Sequence, residues 1–254
     1  MRSLRVKFIL PALTEATSPY WRPIKYSLFP PLGLATLAAY LAPDDEAVLE
    51  DEHVAPLTLD DAPDLVVIQV YITSAFRAYR LADAYRARGA FVVLGGLHVT
   101  SLPDEAAAHA DAIFLGPGEQ TFPAFLQEFR AGRPAKRYVS TSDRTLERLP
   151  PIRRDLIARR RYLVPNSIVV TRGCPQHCDF CYKDAFFAGG RTFYTQRVDD
   201  ALARSLDCRD ATCISSTTIC LAILASLLPS SRACAGWAGC FKALPLSIRS
   251  CAAT

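Results

Sequence analysis

Leu65-Val66-Val67-Ile68-Gln69-Val70, LVVIQV, decides how this chain folds. A continuous apolar run of this length suits a central strand of a parallel sheet, where helices cover both faces and neither side needs to be polar. The flanking sequence supplies the neighbours such a strand requires. Upstream, Arg5–Leu10 reads as a strand, Pro31-Leu32-Gly33-Leu34 opens a helix to Leu41 with proline at its start, and Ala47–Glu50 is a second strand. Downstream, Phe76–Arg88 repeats apolar residues at helical spacing, and Phe91–Leu94 is a strand running into Gly95-Gly96. Asp104–His109 is a short helix, Ala112–Leu115 a fifth strand and Gly118–Phe129 a closing helix. The alternation predicts an α/β domain over residues 1–132, a doubly wound five-stranded parallel sheet. Its ligand should lie over the carboxyl ends of the strands.

The residues at those ends suit a large polar cofactor. Tyr71, Thr73 and Ser74 follow the third strand, Gly95, Gly96 and His98 the fourth, and Gly116, Gly118 and Glu119 the fifth. Glycines let backbone N–H groups approach a ligand, and hydroxyls satisfy amide and phosphate groups. A glycine pair after a strand also serves a tight turn. With the PPLGLATLAAYL helix and this order of elements, the region resembles the Rossmann-like cobalamin-binding domain that precedes many radical S-adenosylmethionine (radical SAM) cores. The resemblance implies cobalamin as a cofactor, held by the nine residues just named. One string departs from it. Many cobalamin proteins bind the metal through a D-x-H-x-x-G loop, but here Asp51-Glu52-His53-Val54-Ala55-Pro56 ends in proline and follows the second strand. His53 is therefore expected to be a surface histidine, which leaves the lower face of a cobalamin without a protein ligand.

Cys174, Cys178 and Cys181 stand in TRGCPQHCDFCYK with spacing C-x₃-C-x₂-C, after the apolar Ile168-Val169-Val170 and the turn residue Gly173. Three thiolates on one loop can hold three irons of a 4Fe-4S cluster and leave the fourth open to a ligand. The same residues with His177 could instead form a Cys₃His zinc site, although structural zinc motifs usually pair two C-x₂-C units, and no second pair stands out. The loop resembles that of the radical SAM enzymes. That resemblance implies S-adenosylmethionine chelated at the open iron, with Phe180 and Tyr182 beside it and Tyr182 near the adenine. It also implies an electron from a reductant such as flavodoxin or ferredoxin, and a 5′-deoxyadenosyl radical acting on a small-molecule or peptide substrate. With cobalamin present, the outcome is methyl transfer or a rearrangement. Two further readings stay open: a non-catalytic cobalamin or nucleotide-binding module, and a zinc-binding regulatory domain.

Composition narrows the classes. A net charge of +4 over 254 residues does not point to nucleic acid, and the basic run Arg153, Arg154, Arg159, Arg160 and Arg161 lacks interleaved stacking aromatics. It reads as part of a Pro- and Arg-rich linker over residues 133–165. No apolar run reaches the length of a membrane span, and MRSLRVKFILPAL reads as a strand and not as a leader. No Cys precedes Cys174, so a reducing cytoplasm is expected. Residues 166–205 read as the start of a radical SAM partial βα barrel, with RTFYTQRVDDALA leading into its first helix.

From Leu206 the character changes. Six of the nine cysteines fall in the last 47 residues, no acidic residue follows Asp210, and no helix or strand period persists. A second module rich in metal ligands is one reading and a short hydrophobic anchor around Ile219–Leu228 another, though about ten apolar residues do not span a bilayer. A shifted reading frame explains more. Ser216–Ala222, written TCG ACG ACC ATC TGC TTG GC, becomes CTC GAC GAC CAT CTG CTT GGC, or LDDHLLG, one base earlier. The restored sequence regains acidic residues, loses cysteines and contains a strand with acidic residues at its tip. Residues 206–254 are thus expected to be an aberrant tail, and the chain an inactive truncation.

Overall fold

The computed structural model describes residues 3–12, 29–140, 143–176, 178–179, 181, 183–197, 200 and 212–215. It divides into two compact units. The first comprises Met1–Arg144, Arg148–Pro165 and His177–Thr192, and the second Thr145–Glu147, Asn166–Gln176 and Phe193–Thr254.

The first unit is built on a parallel sheet of β1 (Arg5–Leu10), β2 (Glu46–Asp51), β3 (Leu65–Gln69), β4 (Phe91–Gly95), β5 (Ala112–Leu115) and β6 (Arg137–Val139), in the order β2-β1-β3-β4-β5-β6. β1 pairs with β2 on one side and β3 on the other, so the winding reverses between β1 and β3. Alternate side chains separate the core into two layers. Val66, Ile68, Val92 and Leu94 pack with Ala78, Tyr79, Leu81, Ala82 and Tyr85 of α2 (Ala75–Arg86). Phe8, Leu65, Val67, Val93 and Phe114 pack on the other face with Leu34 of α1 (Leu32–Leu37) and with Phe122, Phe125 and Leu126 of α5 (Phe122–Arg130). Each fully buried side chain of this size contributes about 1.5–3 kcal/mol. The expected helix to Leu41 keeps α geometry to Leu37 and tightens into a 3₁₀ turn over Ala38–Tyr40.

Two expectations need correction. The sheet has six strands and not five, because Arg137–Val139 leaves the expected linker and pairs with β5. Three residues with only Tyr138 facing inward show no periodicity in sequence. What recruits them is Tyr138, stacked on Phe114 at a 4.9 Å centroid separation. Nor is the rest of that linker free of the sheet. Tyr162 is buried and donates its hydroxyl to Asp51 at 3.1 Å, while an Arg161 guanidinium donates to the Val54 carbonyl at 2.8 Å. The short helix expected over Asp104–His109 is α4 (Pro103–Ala108), and a second helix that the sequence did not announce, α3 (Leu97–Ser101), precedes it between β4 and β5.

The second unit centres on β7 (Ser167–Gly173), paired antiparallel with β8 (Phe193–Thr195) and parallel with β9 (Thr212–Ser215). β9 lies in the tail, where the sequence keeps no strand period; β-branched Thr212 and Ile214 favour extended backbone, and main-chain bonds to β7 supply the rest. The other residues of the tail lie outside those described. Among the described residues, no helix is long and apolar enough to cross a membrane.

Candidate cofactor site

β3 ends at the point where the winding reverses, the place at which open α/β sheets bind ligands. Its exit is fixed by main-chain bonds, Val70 N–H to the Gly95 carbonyl at 2.8 Å and His98 N–H to the Val70 carbonyl at 3.3 Å. Beyond it the side chains divide. Ser74 is buried with its hydroxyl turned back toward the Tyr71 carbonyl, whereas Thr73 is exposed. Tyr71 is 37% exposed and its hydroxyl accepts a bond from the Gln69 carboxamide at 2.7 Å. Ile72 and Phe76 are 76% and 75% exposed, an unusual state for large apolar groups beside a switch point.

The glycines of the next two strands serve the protein's own packing. Gly96 adopts φ +115°, and a Cβ there would stand 2.8 Å from the Val70 carbonyl oxygen. At Gly116, φ is +77° and a Cβ would stand 2.9 Å from that of Ser140. Gly95 and Gly118 face Phe114 at ordinary contact distances. Thr100, which nothing in the sequence marked, ties the two loops together: its hydroxyl donates to the Gly96 carbonyl at 3.0 Å and accepts the Gly116 N–H at 2.9 Å. Gly118 supplies the carbonyl that receives Phe122 N–H at the start of α5, and Glu119 beside it is buried.

His98 is buried, 3.3 Å from Glu105 through Nε2, with its ring against Tyr79. His53 is half-buried, and its Nδ1 lies 2.8 Å from the carboxylate of buried Asp51. That hydrogen bond holds the His53 pKa above its ordinary value against the opposing effect of burial.

Of the cysteine loop, Cys174 follows Gly173, whose φ of +82° ends β7. Cys178 and Cys181 bracket a turn in which Cys181 N–H donates to the Cys178 carbonyl at 2.9 Å. All three are free thiols, Cys178 exposed and the others partly buried. Phe180, Tyr182 and His177 lie outside the described residues. Among the described residues no three His, Cys, Asp or Glu side chains come together as a metal would need, so the case for a cluster rests on the spacing. Exposed Tyr71, Ile72, Thr73 and Phe76 at the switch point present apolar surface and two hydroxyls where open α/β sheets bind ligands.

Comparison with known proteins identifies the segment that carries these strand ends. Residues 26–126 match the B12 binding domain family. The bacteriochlorophyllide d C-8(2)-methyltransferase of Chlorobaculum tepidum is 36% identical over 162 residues, covering 61% of this chain and 36% of that protein. An uncharacterized methyltransferase of Synechocystis is 33% identical over 157 residues, covering 61% of this chain and 29% of its own length. The bacteriochlorophyllide d C-12(1)-methyltransferase of Chlorobaculum tepidum is 25% identical over 177 residues, covering 66% and 38%. The chain thus spans 29–38% of the length of these curated relatives. Residues 26–126, which carry the ends of β3, β4 and β5, form a B12-binding domain in a chain whose relatives are named methyltransferases.

Proposed function

We propose that this chain is the cofactor-binding part of a cobalamin-dependent radical SAM methyltransferase. The observation that carries the proposal is the exposed apolar group at the switch point, Tyr71, Ile72 and Phe76, within the segment that matches a B12 binding domain. Tyr71, Ile72 and Thr73 would receive the macrocycle, while Thr100 and Gly116 hold the neighbouring loops in place. Cys174, Cys178 and Cys181 would hold a 4Fe-4S cluster, and Phe180 and Tyr182 would flank S-adenosylmethionine. When bound, cobalamin supplies methyl-transfer chemistry and the cluster supplies the electron that cleaves S-adenosylmethionine. The protein's share is to bind and orient these groups and to exclude water. A one-electron protein such as flavodoxin or ferredoxin would be the reductant.

The test is anaerobic reconstitution of the full chain with iron, sulfide and aquocobalamin, followed by gel filtration, visible spectrum and metal analysis. Expected are cobalamin near one equivalent and about four irons per chain, with Cys181→Ser losing the iron and keeping the cobalamin. Cobalamin without iron would reduce the function to a binding module. Zinc at one equivalent without visible absorption would favour a regulatory zinc domain, and retention of none of these groups would refute the proposal. We infer further that the tail from about Leu206 is read out of frame, on the strength of its cysteine enrichment and its loss of acidic residues. Sequencing the gene across codons 198–210 decides this; an identical nucleotide sequence in a sibling strain would sink it.

A further inference from the structure

The first unit contains a buried cation that neither the sheet nor the cysteine spacing explains. Arg144 is 3% exposed and leaves the segment that follows β6. Ser140 and Asp143 are both tied to the chain at the carboxyl end of β5: Ser140 N–H donates to the Leu115 carbonyl at 2.9 Å, and the Gln120 carboxamide donates to the Asp143 carbonyl. From there Arg144 Nε donates to the Ser140 hydroxyl at 3.1 Å. Its two terminal nitrogens donate to the carbonyls of Phe187 at 2.6 Å, Ala188 at 2.8 Å and Arg191 at 3.4 Å. The guanidinium carbon lies 5.6 Å from the Phe187 ring centroid.

Phe187 immediately follows α6 (Lys183–Phe186) and closes it through Phe187 N–H to the Lys183 carbonyl at 2.9 Å, and Ala188 and Arg191 lie in the chain beyond it. The last carbonyls of a helix have no partners within it, and a guanidinium fork is suited to receive several at once. Arg144 therefore caps α6 from a distant part of the chain. The same segment is fitted to the edge of the sheet through Gly116, where a Cβ would stand 3.2 Å from the Phe186 carbonyl oxygen. α6 begins two residues after Cys181, and Cys178 and Cys181 belong to the same unit.

We propose that Arg144 is a positioning residue: it docks residues 183–191, and with them the Cys178–Cys181 turn, onto the carboxyl edge of β5, beside the cobalamin site. The role in cofactor retention rests on the proposed function. The docking itself rests on the bonds above.

The test uses the full chain and two substitutions, Arg144→Met, which keeps most of the volume without donors, and Arg144→Lys, which keeps one point charge. Hydrogen–deuterium exchange is read over residues 183–191 and over β3 and β4, with bound aquocobalamin and iron measured after anaerobic reconstitution. In Arg144→Met, amides within 183–191 should exchange about tenfold faster or more, the equivalent of losing one charge-assisted bond. Those of β3 and β4 should be unchanged, cobalamin should stay bound and iron retention should fall severalfold. Arg144→Lys should lie between Met and the parent chain. Unchanged exchange over 183–191 overturns the docking, and faster exchange with undiminished iron overturns its role in retention. A parent chain that binds no cobalamin and no iron refutes the proposed function instead, and the exchange rates still decide the docking. General unfolding would appear in β3 and β4, in which case Arg144→Lys decides: parent rates over 183–191 with the sheet intact refute the docking.

Discussion

Lys7 sits in the middle of β1 with its side chain 2% exposed, and removing its charge should be among the costliest single changes to this domain. Its ammonium lies 3.0 Å from Glu50 and 2.7 Å from Asp61, and it also donates to the Thr58 carbonyl. The Tyr85 hydroxyl reaches the Thr58 carbonyl and Asp61, each at 3.0 Å. Residues 52–64 have no helix, so this network ties the connection between β2 and β3 to the sheet. Burial works against the charge of Lys7, but hydrogen bonds to Asp61, Tyr85 and Glu50 together outweigh it and hold the pKa above its ordinary value. A raised lysine pKa stabilises fully below the unfolded value, near 10.4, and the contribution is lost as pH rises through the folded value. Lys7→Met leaves two carboxylates facing each other. Breaking a buried pair costs roughly 3–5 kcal/mol, and the low end applies because Asp61 keeps 32% exposure and can rehydrate. With a urea dependence of about 2 kcal/mol per molar, a loss of about 3 kcal/mol lowers the midpoint by about 1.5 M at pH 7. Urea denaturation followed by far-ultraviolet circular dichroism measures this. Adding Glu50→Gln and Asp61→Asn should recover much of the loss, since the penalty is one of uncompensated charge. A loss below about 1 kcal/mol, or no recovery on neutralising both carboxylates, would refute the reasoning.

Three further outcomes are expected. Gly96→Ala should destabilise the domain by clearly more than Gly132→Ala: both glycines have positive φ, but only the Gly96 Cβ would strike backbone, at 2.8 Å, while Gly132 faces open space. Equal denaturation midpoints for the two variants would contradict this. His53 should titrate above 6.5 by NMR in the parent chain and return toward 6.5 in Asp51→Asn, because the Asp51 hydrogen bond raises it. Its contribution to stability is present below about pH 6.5 and lost as pH rises through the folded value; a titration at or below 6.5 would oppose the assignment. Burial and then the hydrogen bond to Glu128 push Tyr138 up to about 12. Tyr79, Tyr85 and Tyr162 are also held above the ordinary value by burial, so a spectrophotometric titration should show several late-ionising tyrosines and one fewer in Tyr138→Phe. The stabilisation from Tyr138 is full below about pH 10 and fades as pH rises through the folded value.

LVVIQV could be read as the central strand because burial on both faces leaves a continuous apolar run, and the structure places Leu65–Gln69 between β1 and β4. The strand ends carrying Tyr71, Gly95 and Gly116 followed from the alternation of elements. The role of the glycines did not, since Gly96 and Gly116 answer to Val70 and Ser140, residues that sequence distance hides. Likewise, β6 has only Tyr138 to announce it, and one residue has no period.

The sequence by itself determined the parallel α/β elements, the end of the sheet at which a ligand is expected and the C-x₃-C-x₂-C spacing, because these are written in side-chain type and local period. Only the tertiary structure decided that Thr100 joins two loops, that Arg144 caps α6 and that Ile72 and Phe76 stay exposed at the switch point. Their partners are backbone carbonyls and amides brought together by folding, and a backbone group has the same chemistry at nearly every position, so no residue code announces it.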